Sequence, residues 1–125
     1  MIIGTGIDIV SVERIRRIMR RWGGRFLKRV FTQKEIDFCK KKHKPELHFA
    51  SRFAAKEAIL KGLQTGMAEG AGFHDICISS QVSGAPAVEL SGRTYEISKK
   101  RGIHAIHISL SDEDQFAVAC AVLTT

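Results

Sequence analysis

The sequence predicts an α+β fold in which a mainly antiparallel sheet packs against one long helix and several shorter helices. Two observations predict this class. The apolar patterns run in the order strand, several helices, hairpin, helix, hairpin, which differs from the regular strand–helix alternation of a parallel sheet. A helical repeat at roughly residues 46–63 is longer than any other in the chain. The length, the scarcity of proline and the lack of linker composition predict a single domain, residues 1–125.

The first predicted strand, residues 1–10, carries an unusual carboxylate. Its isoleucines at positions 3, 7 and 9 share one face, and the other face carries Asp8 together with Gly4 and Gly6. Aspartate is uncommon in strands, and glycines allow a ligand or another backbone to approach closely. The sequence leaves two interpretations of Asp8 open: a functional carboxylate, or a side chain that only accepts backbone hydrogen bonds at a strand end.

Helical signals fill the stretch that follows. Ser11 is a predicted N-cap for a helix that ends at Gly23 and Gly24. A short apolar piece, residues 26–31, comes next. Thr32 to Glu35 has the form of a capping box and predicts the start of another helix, after which Pro45 precedes the long helix.

The second half predicts strands around one further helix. A glycine-rich loop at residues 66–72 precedes a hairpin, in which a short strand with Ile76 and Ile78 pairs with residues 87–90. Ser91 is the predicted cap of a helix that ends at Gly102. The chain then predicts two more strands, residues 103–110 and 116–123.

The formal net charge of +7 is large for this length and indicates an anionic partner, although solubility alone is the simpler alternative. Such partners include nucleic acid, membrane head groups, acidic proteins and phosphorylated ligands. The basic residues crowd two stretches, Arg14 to Arg29 and Lys40 to Lys44. On the first, Arg14, Arg17 and Arg21 share one face of the predicted helix.

The cysteines indicate reduced thiols. They are three in number, widely spaced and without a CxxC pair, at positions 39, 77 and 120. No signal-peptide pattern and no long apolar span occur in the sequence. We therefore expect a cytoplasmic protein that does not bind a membrane.

The long helix contains the candidate residues for chemistry. Glu57 lies at the edge of its broad apolar face, where a carboxylate is costly to bury without a cation. Lys61 follows one turn later and forms either an ordinary surface ion pair or a group that touches a phosphate or accepts a proton. Lys56 is expected to pack its stem and extend its ammonium group outward. Arg52 is suited to bidentate phosphate binding.

Asp8 and Glu57 together suggest a site for a hard cation. Two carboxylates without cysteine or paired-histidine ligands suit Mg²⁺, which retains water and takes only one or two protein carboxylates. The five histidines lack zinc-ligand spacing such as HExxH. Nothing pairs His107 with a nucleophilic serine, so a hydrolase triad has little support.

Three segments resemble holo-acyl-carrier-protein synthases, the short single-domain 4′-phosphopantetheinyl transferases. They are Gly6 to Val10, Phe31 to Glu35, and Arg52 to Ala58, and the similarity continues to His107–Ser109 and the last strand. The resemblance covers nearly the whole chain. Its specific part is the pairing of Asp8 in GxDI with Glu57 in RFAxKEA; the separate tripeptides are common.

The resemblance implies a fold, a reaction and its residues. The fold is 4′-phosphopantetheinyl transferase-like, and the reaction moves the phosphopantetheine arm of coenzyme A onto a serine of apo acyl carrier protein in fatty acid biosynthesis. Adenosine 3′,5′-bisphosphate is released. The implied catalytic residues are Asp8, Glu57 and Lys61, with Mg²⁺ held by the two carboxylates. Coenzyme A is implied to contact Arg52, Lys44 and His107.

The resemblance also implies partners. An acidic carrier protein would dock on Arg14, Arg17 and Arg21, and the family is typically a homotrimer with active sites in the clefts between subunits. Many relatives carry a histidine where this chain has Asp112, which is therefore left out of the catalytic residues. No mechanism that needs a histidine at that position is adopted.

Two other functions are weaker alternatives to phosphopantetheine transfer. A basic nucleic-acid-binding module is motivated by the cluster from Arg14 to Arg29, and steep salt dependence would be diagnostic of it. Aromatic residues among these arginines are sparse, with Trp22 the nearest, and we expect no nucleic acid as partner. A non-catalytic adaptor that docks acidic proteins through the arginine helix is the third hypothesis.

Overall fold

The computed structural model describes residues 1–64 and 69–125, so Gly66 of the predicted loop lies outside the described residues. Helices and strands alternate irregularly along the chain, with a short 3₁₀ turn at Phe73–Asp75. The elements are β1 (Ile2–Ser11), α1 (Val12–Trp22), α2 (Gly24–Val30), α3 (Gln33–Lys40), α4 (Pro45–Leu63), β2 (Ile76–Ser80), β3 (Pro86–Leu90), α5 (Gly92–Lys100), β4 (Ala105–Asp112) and β5 (Phe116–Thr124).

The strands form two antiparallel sheets. The first has the order β1-β5-β4, and the second is the β2-β3 hairpin. On the central strand β5, small or apolar side chains alternate into the interior because successive residues point to opposite faces. The predicted α+β class and the mainly antiparallel pairing are confirmed.

Two glycines of β1 allow helix α4 to lie directly on the sheet. A Cβ atom at Gly4 would come within 2.0 Å of the Gly62 carbonyl oxygen, and one at Gly6 within 1.8 Å of the Ala58 carbonyl oxygen. No side chain larger than hydrogen fits between backbones this close. The glycines thus admit another backbone, as one of the predicted alternatives stated, and this contact fixes α4 beside Asp8.

Helix α4 also contacts α1, α2, α3 and β2, and there the prediction for Lys56 is wrong. Its side chain is fully buried and does not extend outward. The ammonium group donates to Glu35 Oε1 at 2.6 Å, to the Val30 carbonyl at 2.8 Å and to the Phe73 carbonyl at 3.1 Å. These three acceptors satisfy all three N–H bonds, so burial is possible without contact with water.

The caps predicted at Ser11 and Thr32 are confirmed, whereas Ser91 occupies the N-cap position of α5 without a side-chain capping hydrogen bond, and one helix was missed. Ser11 Oγ accepts the Arg14 amide at 3.2 Å, and Thr32 and Glu35 form a complete capping box. The short apolar piece predicted at residues 26–31 is mostly helical, as α2. Strand β4 begins at Ala105 and not at residue 103, because the Ile103 amide still donates to the Ser98 carbonyl at the end of α5.

In the described part of the chain, none of the helices has the length and apolar character needed to cross a membrane.

Candidate active site

A lysine of α4 joins the helix to the end of β1 that carries Asp8. Lys61 Nζ donates to Asp8 Oδ1 at 3.2 Å and to the Ile7 carbonyl at 2.9 Å. The Asp8 side chain is only 18% exposed, whereas that of Lys61 is 54% exposed. An ion pair that the sequence did not predict therefore links β1 to the long helix, with the Lys61 end exposed at the surface.

Glu57 lies one turn before Lys61 and within the electrostatic field of Asp8. Partial burial raises the pKa of the Glu57 carboxyl, and the negative charge of Asp8 raises it further. Lys61 and Arg14 oppose these effects. The structure thus brings together Asp8, Glu57 and Lys61, which the sequence places in two separate elements.

The donor set of this cluster suits a hard cation. Two carboxylates crowd one another, and their mutual repulsion is relieved when a cation lies between them. Among residues 1–64 and 69–125, no group of three or more histidine, cysteine, aspartate or glutamate side chains is arranged to hold a metal. Two oxygen ligands with room for water match the preference of Mg²⁺ better than that of zinc.

A second polar region lies at the other end of α4, in a cavity of about 340 Å³ that we call the Arg52 cavity. Its walls come from α3, α4, the β2-β3 hairpin and β4, and include Phe38, His48, Ser51, Arg52, Pro86 and Asp112. The cavity thus opens between the hairpin and the edge of the three-stranded sheet, a position suited to a small molecule.

Arg52 is held in this cavity with unused hydrogen-bonding capacity. The residue is 5% exposed, and its guanidinium carbon lies 4.3 Å from the centre of the Phe38 ring. One terminal nitrogen donates to the His48 carbonyl at 3.5 Å, but Nε has no partner among the described residues. A buried N–H without an acceptor is costly, so the site favours an anionic ligand that supplies one.

The other predicted ligand contacts lie outside the cavity lining. Lys44 is exposed and pairs with Asp114 at 3.2 Å. His107 lies on the solvent-facing side of the three-stranded sheet, where its Nε2 is 3.4 Å from Thr124 Oγ1. Within one chain, the structure therefore does not bring Lys44 or His107 together with Arg52.

Helix α1 presents the predicted arginine face to solvent. Arg14, Arg17 and Arg21 are all exposed. Beside them, a groove of about 720 Å³ runs between α1 and α2, and its lining combines apolar and basic side chains: Ile18, Trp22, Arg25, Phe26 and Arg29. Arg14, at the start of α1, lies close enough to Glu57 for its positive charge to oppose the rise in the pKa of that carboxyl, so this end of the arginine face is near the Asp8 cluster.

Three residues of the Arg52 cavity were missed or left without a role by sequence reasoning. Phe38 positions Arg52 through a cation–π contact, and Ser51 Oγ donates to Asp112 Oδ2 at 3.2 Å. These pairs are far apart in the sequence or lie in different elements, so no spacing rule reveals them. The adjacency of Ser51 to Arg52 was the one available signal.

Comparison with known proteins identifies the family of the chain. Residues 4–121 match the family model of the 4′-phosphopantetheinyl transferase superfamily. A holo-[acyl-carrier-protein] synthase from Syntrophus aciditrophicus is 42% identical over 123 residues, which cover 98% of this chain and 96% of that protein. A synthase of the same name from Maridesulfovibrio salexigens is 45% identical, with 98% of each chain covered.

Solved structures give the same result. The holo-[acyl-carrier-protein] synthase of Neisseria meningitidis superposes with a TM-score of 0.92 at 34% identity, over 100% of both chains. The Helicobacter pylori synthase, solved in complex with coenzyme A, superposes with a TM-score of 0.84 at 37% identity, over 96% of this chain and 99% of the other.

Proposed function

The chain belongs to the 4′-phosphopantetheinyl transferase superfamily, and we propose that it moves the 4′-phosphopantetheine arm of coenzyme A onto a serine of apo acyl carrier protein. The serine Oγ forms a bond to the phosphorus that carries pantetheine, the bond from that phosphorus to the bridging oxygen breaks, and adenosine 3′,5′-bisphosphate leaves. The observation that carries the proposal is the convergence of Asp8, Glu57 and Lys61 from β1 and α4.

Asp8 and Glu57 are the proposed ligands of Mg²⁺. Their donors are hard oxygens. Partial burial, together with the negative charge of Asp8, raises the pKa of Glu57, and a cation between the two carboxylates would counteract this shift. When bound, Mg²⁺ supplies positive charge that offsets the charge of the diphosphate during transfer. The close contact of α4 with Gly4 and Gly6 holds the two carboxylates in place before any ligand arrives.

Lys61 is the proposed third catalytic residue, with two roles that one variant separates. It either binds a phosphate oxygen as a cation or accepts the serine proton as a neutral amine. A Lys61→Arg variant keeps the cation but cannot accept a proton, because arginine does not lose its charge in proteins. Retained turnover in this variant indicates the electrostatic role, and its loss at every pH indicates the proton acceptor.

The Arg52 cavity is the proposed binding site for the nucleotide end of coenzyme A. The unpartnered Nε of Arg52 and the polar cavity walls support this assignment. Lys44, which lies outside the cavity lining in the single chain, would then add positive charge if it exchanged Asp114 for a phosphate. His107 is proposed to contact coenzyme A from a neighbouring subunit, since its face of the sheet is open to solvent in the single chain.

The arginine face of α1 is the proposed docking surface for the carrier. Its positive charge would attract and orient an acidic partner, and the groove beside Trp22 and Phe26 would receive apolar side chains. Such contacts would hold the carrier beside Asp8, because α1 follows β1 directly.

A homotrimer is the proposed assembly, with active sites in the clefts between subunits. The open face of the three-stranded sheet supports it, because Ile7 is 63% and Ile9 is 62% exposed there. Exposed apolar residues that adjoin one another commonly mark an interface. We further propose that residues 1–125 act as one catalytic domain in the cytoplasm.

Intact-mass measurement of purified apo carrier, incubated with coenzyme A, Mg²⁺ and this protein, tests the proposal. The expected result is a carrier that gains one phosphopantetheine arm and no gain when a chelator is present. Carrier binding without a mass change would instead support the adaptor hypothesis. Tight, steeply salt-dependent binding to DNA without transfer would support the nucleic-acid hypothesis.

A further inference from the structure

The Arg52 cavity carries opposite charges on its walls. Arg52 supplies a buried cation with a free N–H, and Asp112 supplies a carboxylate from the end of β4. His48 also lines the cavity, and the pKa of its imidazole is lowered by burial and by the nearby charge of Arg52. The negative charge of Asp112 opposes this lowering, so its carboxylate lies near the imidazole.

Asp112 can only accept hydrogen bonds while it is ionised. Ser51 Oγ donates to its Oδ2 at 3.2 Å, and within the described ranges Oδ1 accepts no hydrogen bond. A phosphate beside this carboxylate would be repelled, whereas a hydroxyl or amino group would be bound. The cavity is therefore suited to a ligand that is anionic near Arg52 and a hydrogen-bond donor near Asp112.

Asp112 is too far from Asp8 to share its cation within one chain. Asp112 of β4 pairs with Ala117 of β5, and Ala117 pairs on its other side with Val10 of β1. Asp8 precedes Val10 by two residues. Two strand spacings of about 4.8 Å and two residues of about 3.3 Å separate the two Cα atoms by roughly 12 Å. A role in binding the proposed metal alongside Asp8 is therefore excluded for the single chain.

We propose that Asp112 is a specificity-determining residue that accepts a hydrogen bond from the adenosine of coenzyme A, while Arg52 binds phosphate. This inference rests on the proposed function and deepens it. Adenosine 3′-phosphate with a 5′-diphosphate offers two donors to such an acceptor, the 6-amino group of the base and the 2′-hydroxyl of the ribose. Ser51 orients the carboxylate from α4.

The test compares coenzyme A with two analogues, one with hypoxanthine in place of adenine and one with 2′-deoxyribose. Transfer to apo carrier is measured with the wild type and with Asp112→Asn, and selectivity is the ratio of kcat/KM values. A hydrogen bond to a charged group contributes about 1.5–3 kcal/mol, so the wild type is expected to reject one analogue by about 10- to 100-fold.

Asp112→Asn is expected to reduce that selectivity by about tenfold or more. If the 6-amino group is the donor, the asparagine amide can donate to the 6-oxo group of hypoxanthine. In Asp112→Asn, kcat/KM then rises for this analogue and falls for coenzyme A. If the 2′-hydroxyl is the donor, the effect is confined to the deoxy analogue. Glu113→Gln, which removes the same charge from the adjacent exposed turn, is expected to keep wild-type selectivity.

Because each ratio comes from a single preparation, the fraction of folded enzyme cancels. If Asp112→Asn does not turn over at all, calorimetric titration with the three compounds gives the same ratios from binding. Equal selectivity in the wild type and Asp112→Asn for both analogues overturns the inference. A wild type that transfers nothing from coenzyme A contradicts the proposed function instead, so the two failures are distinct.

Discussion

Lys56 and Glu57 are neighbours on α4, but they lie in opposite electrostatic surroundings. Lys56 is fully buried and donates to three acceptors, one of which is the Glu35 carboxylate. Glu35 in turn accepts the amides of Thr32 and Ile78, each at 2.8 Å. Glu57 is only partly buried, and its main charged neighbours are Asp8, which repels it, and Lys61.

We interpret this difference as that between a structural charge pair and the proposed metal site. Every donor on the Lys56 ammonium has an acceptor, so this network has no capacity left for a ligand and joins α2, α3, α4 and β2. In the cluster of Asp8, Glu57 and Lys61, partial burial and the charge of Asp8 raise the pKa of Glu57 while Lys61 and Arg14 only partly oppose this shift, and it is there that we propose a cation binds. If the proposed assignment is right, incomplete electrostatic compensation indicates the functional site of this chain better than burial does.

The largest effect is expected when the buried pair is broken. Lys56→Met leaves the Glu35 carboxylate buried without its cation, and the free energy of unfolding is expected to fall by about 3–5 kcal/mol. Urea denaturation followed by circular dichroism measures this change. The double variant Lys56→Met/Glu35→Gln, which removes the unpaired charge, is expected to recover part of the loss.

A loss below about 1 kcal/mol in Lys56→Met, as for an exposed ion pair, would show that the pair does not hold the fold together. The interpretation of Lys56 and Glu35 as a structural charge pair would then be wrong.

An intermediate effect is expected on the arginine face. Replacing Arg17 and Arg21 by glutamate reverses charge on an exposed surface, so KM for the carrier is expected to rise about tenfold at low salt, with little change in kcat. The difference should shrink as ionic strength rises, because salt screens exposed charges. Steady-state kinetics across a salt series measure it.

Lys99→Glu and Lys100→Glu on the distant helix α5 provide a matched control, because both positions are exposed and basic. If this control pair raised KM as much as the α1 pair did, net charge and not the arginine face would govern docking.

The smallest effect is expected on the melting temperature of the metal-free protein when Glu57 is replaced, and it depends on pH. The pKa of Glu57 is raised above the ordinary glutamate value of 4.5. A raised carboxyl pKa means that the folded state favours the protonated form, so the contribution of this group to stability is lost as pH rises through the raised value. In the presence of a chelator, Glu57→Gln is therefore expected to melt higher than the wild type at about pH 8, with a smaller difference near pH 5.

Thermal melts of both proteins across this range, with Glu89→Gln on the exposed face of β3 as control, test the sign. A Glu57→Gln variant that melts lower than the wild type at every pH would mean that Glu57 stabilises the fold, as Lys56 does.

Local sequence rules predicted the helices and strands other than α2, and they singled out Asp8, Glu57 and Lys61. A capping box and an N-cap serine are short-range patterns, and they led correctly to the starts of α3 and α1. The glycines on one strand face left a ligand and another backbone open as alternatives, and the structure shows that the backbone is that of α4. Asp8 and Glu57 were recognisable because each is a carboxylate in a place that disfavours one. Gly23, with φ of 51°, separates α1 from α2. From the sequence alone it is interpreted only as the end of the first helix, but it is also the N-cap of the second.

Long-range pairing could not be predicted in the same way. The partner of Lys56 is 21 positions away, and only the packed structure shows that its ammonium group meets three acceptors in the interior. The placement of Phe38 against Arg52 and of Asp112 against Ser51 likewise depends on how helices and sheet meet. Side-chain charge alone does not distinguish an ammonium that extends to solvent from one that is buried.

The most direct measurement is calorimetric titration of Mg²⁺ into the wild type and into Asp8→Asn and Glu57→Gln, with Glu89→Gln as control. The wild type and the control are expected to bind one metal per active site. Removing a residue that only hydrogen-bonds to a metal ligand lowers metal affinity by about 10- to 100-fold. Loss of a direct ligand, in Asp8→Asn or Glu57→Gln, is therefore expected to lower Mg²⁺ affinity by at least about 100-fold. Unchanged Mg²⁺ affinity in both folded variants would contradict the assignment of Asp8 and Glu57 as the metal site.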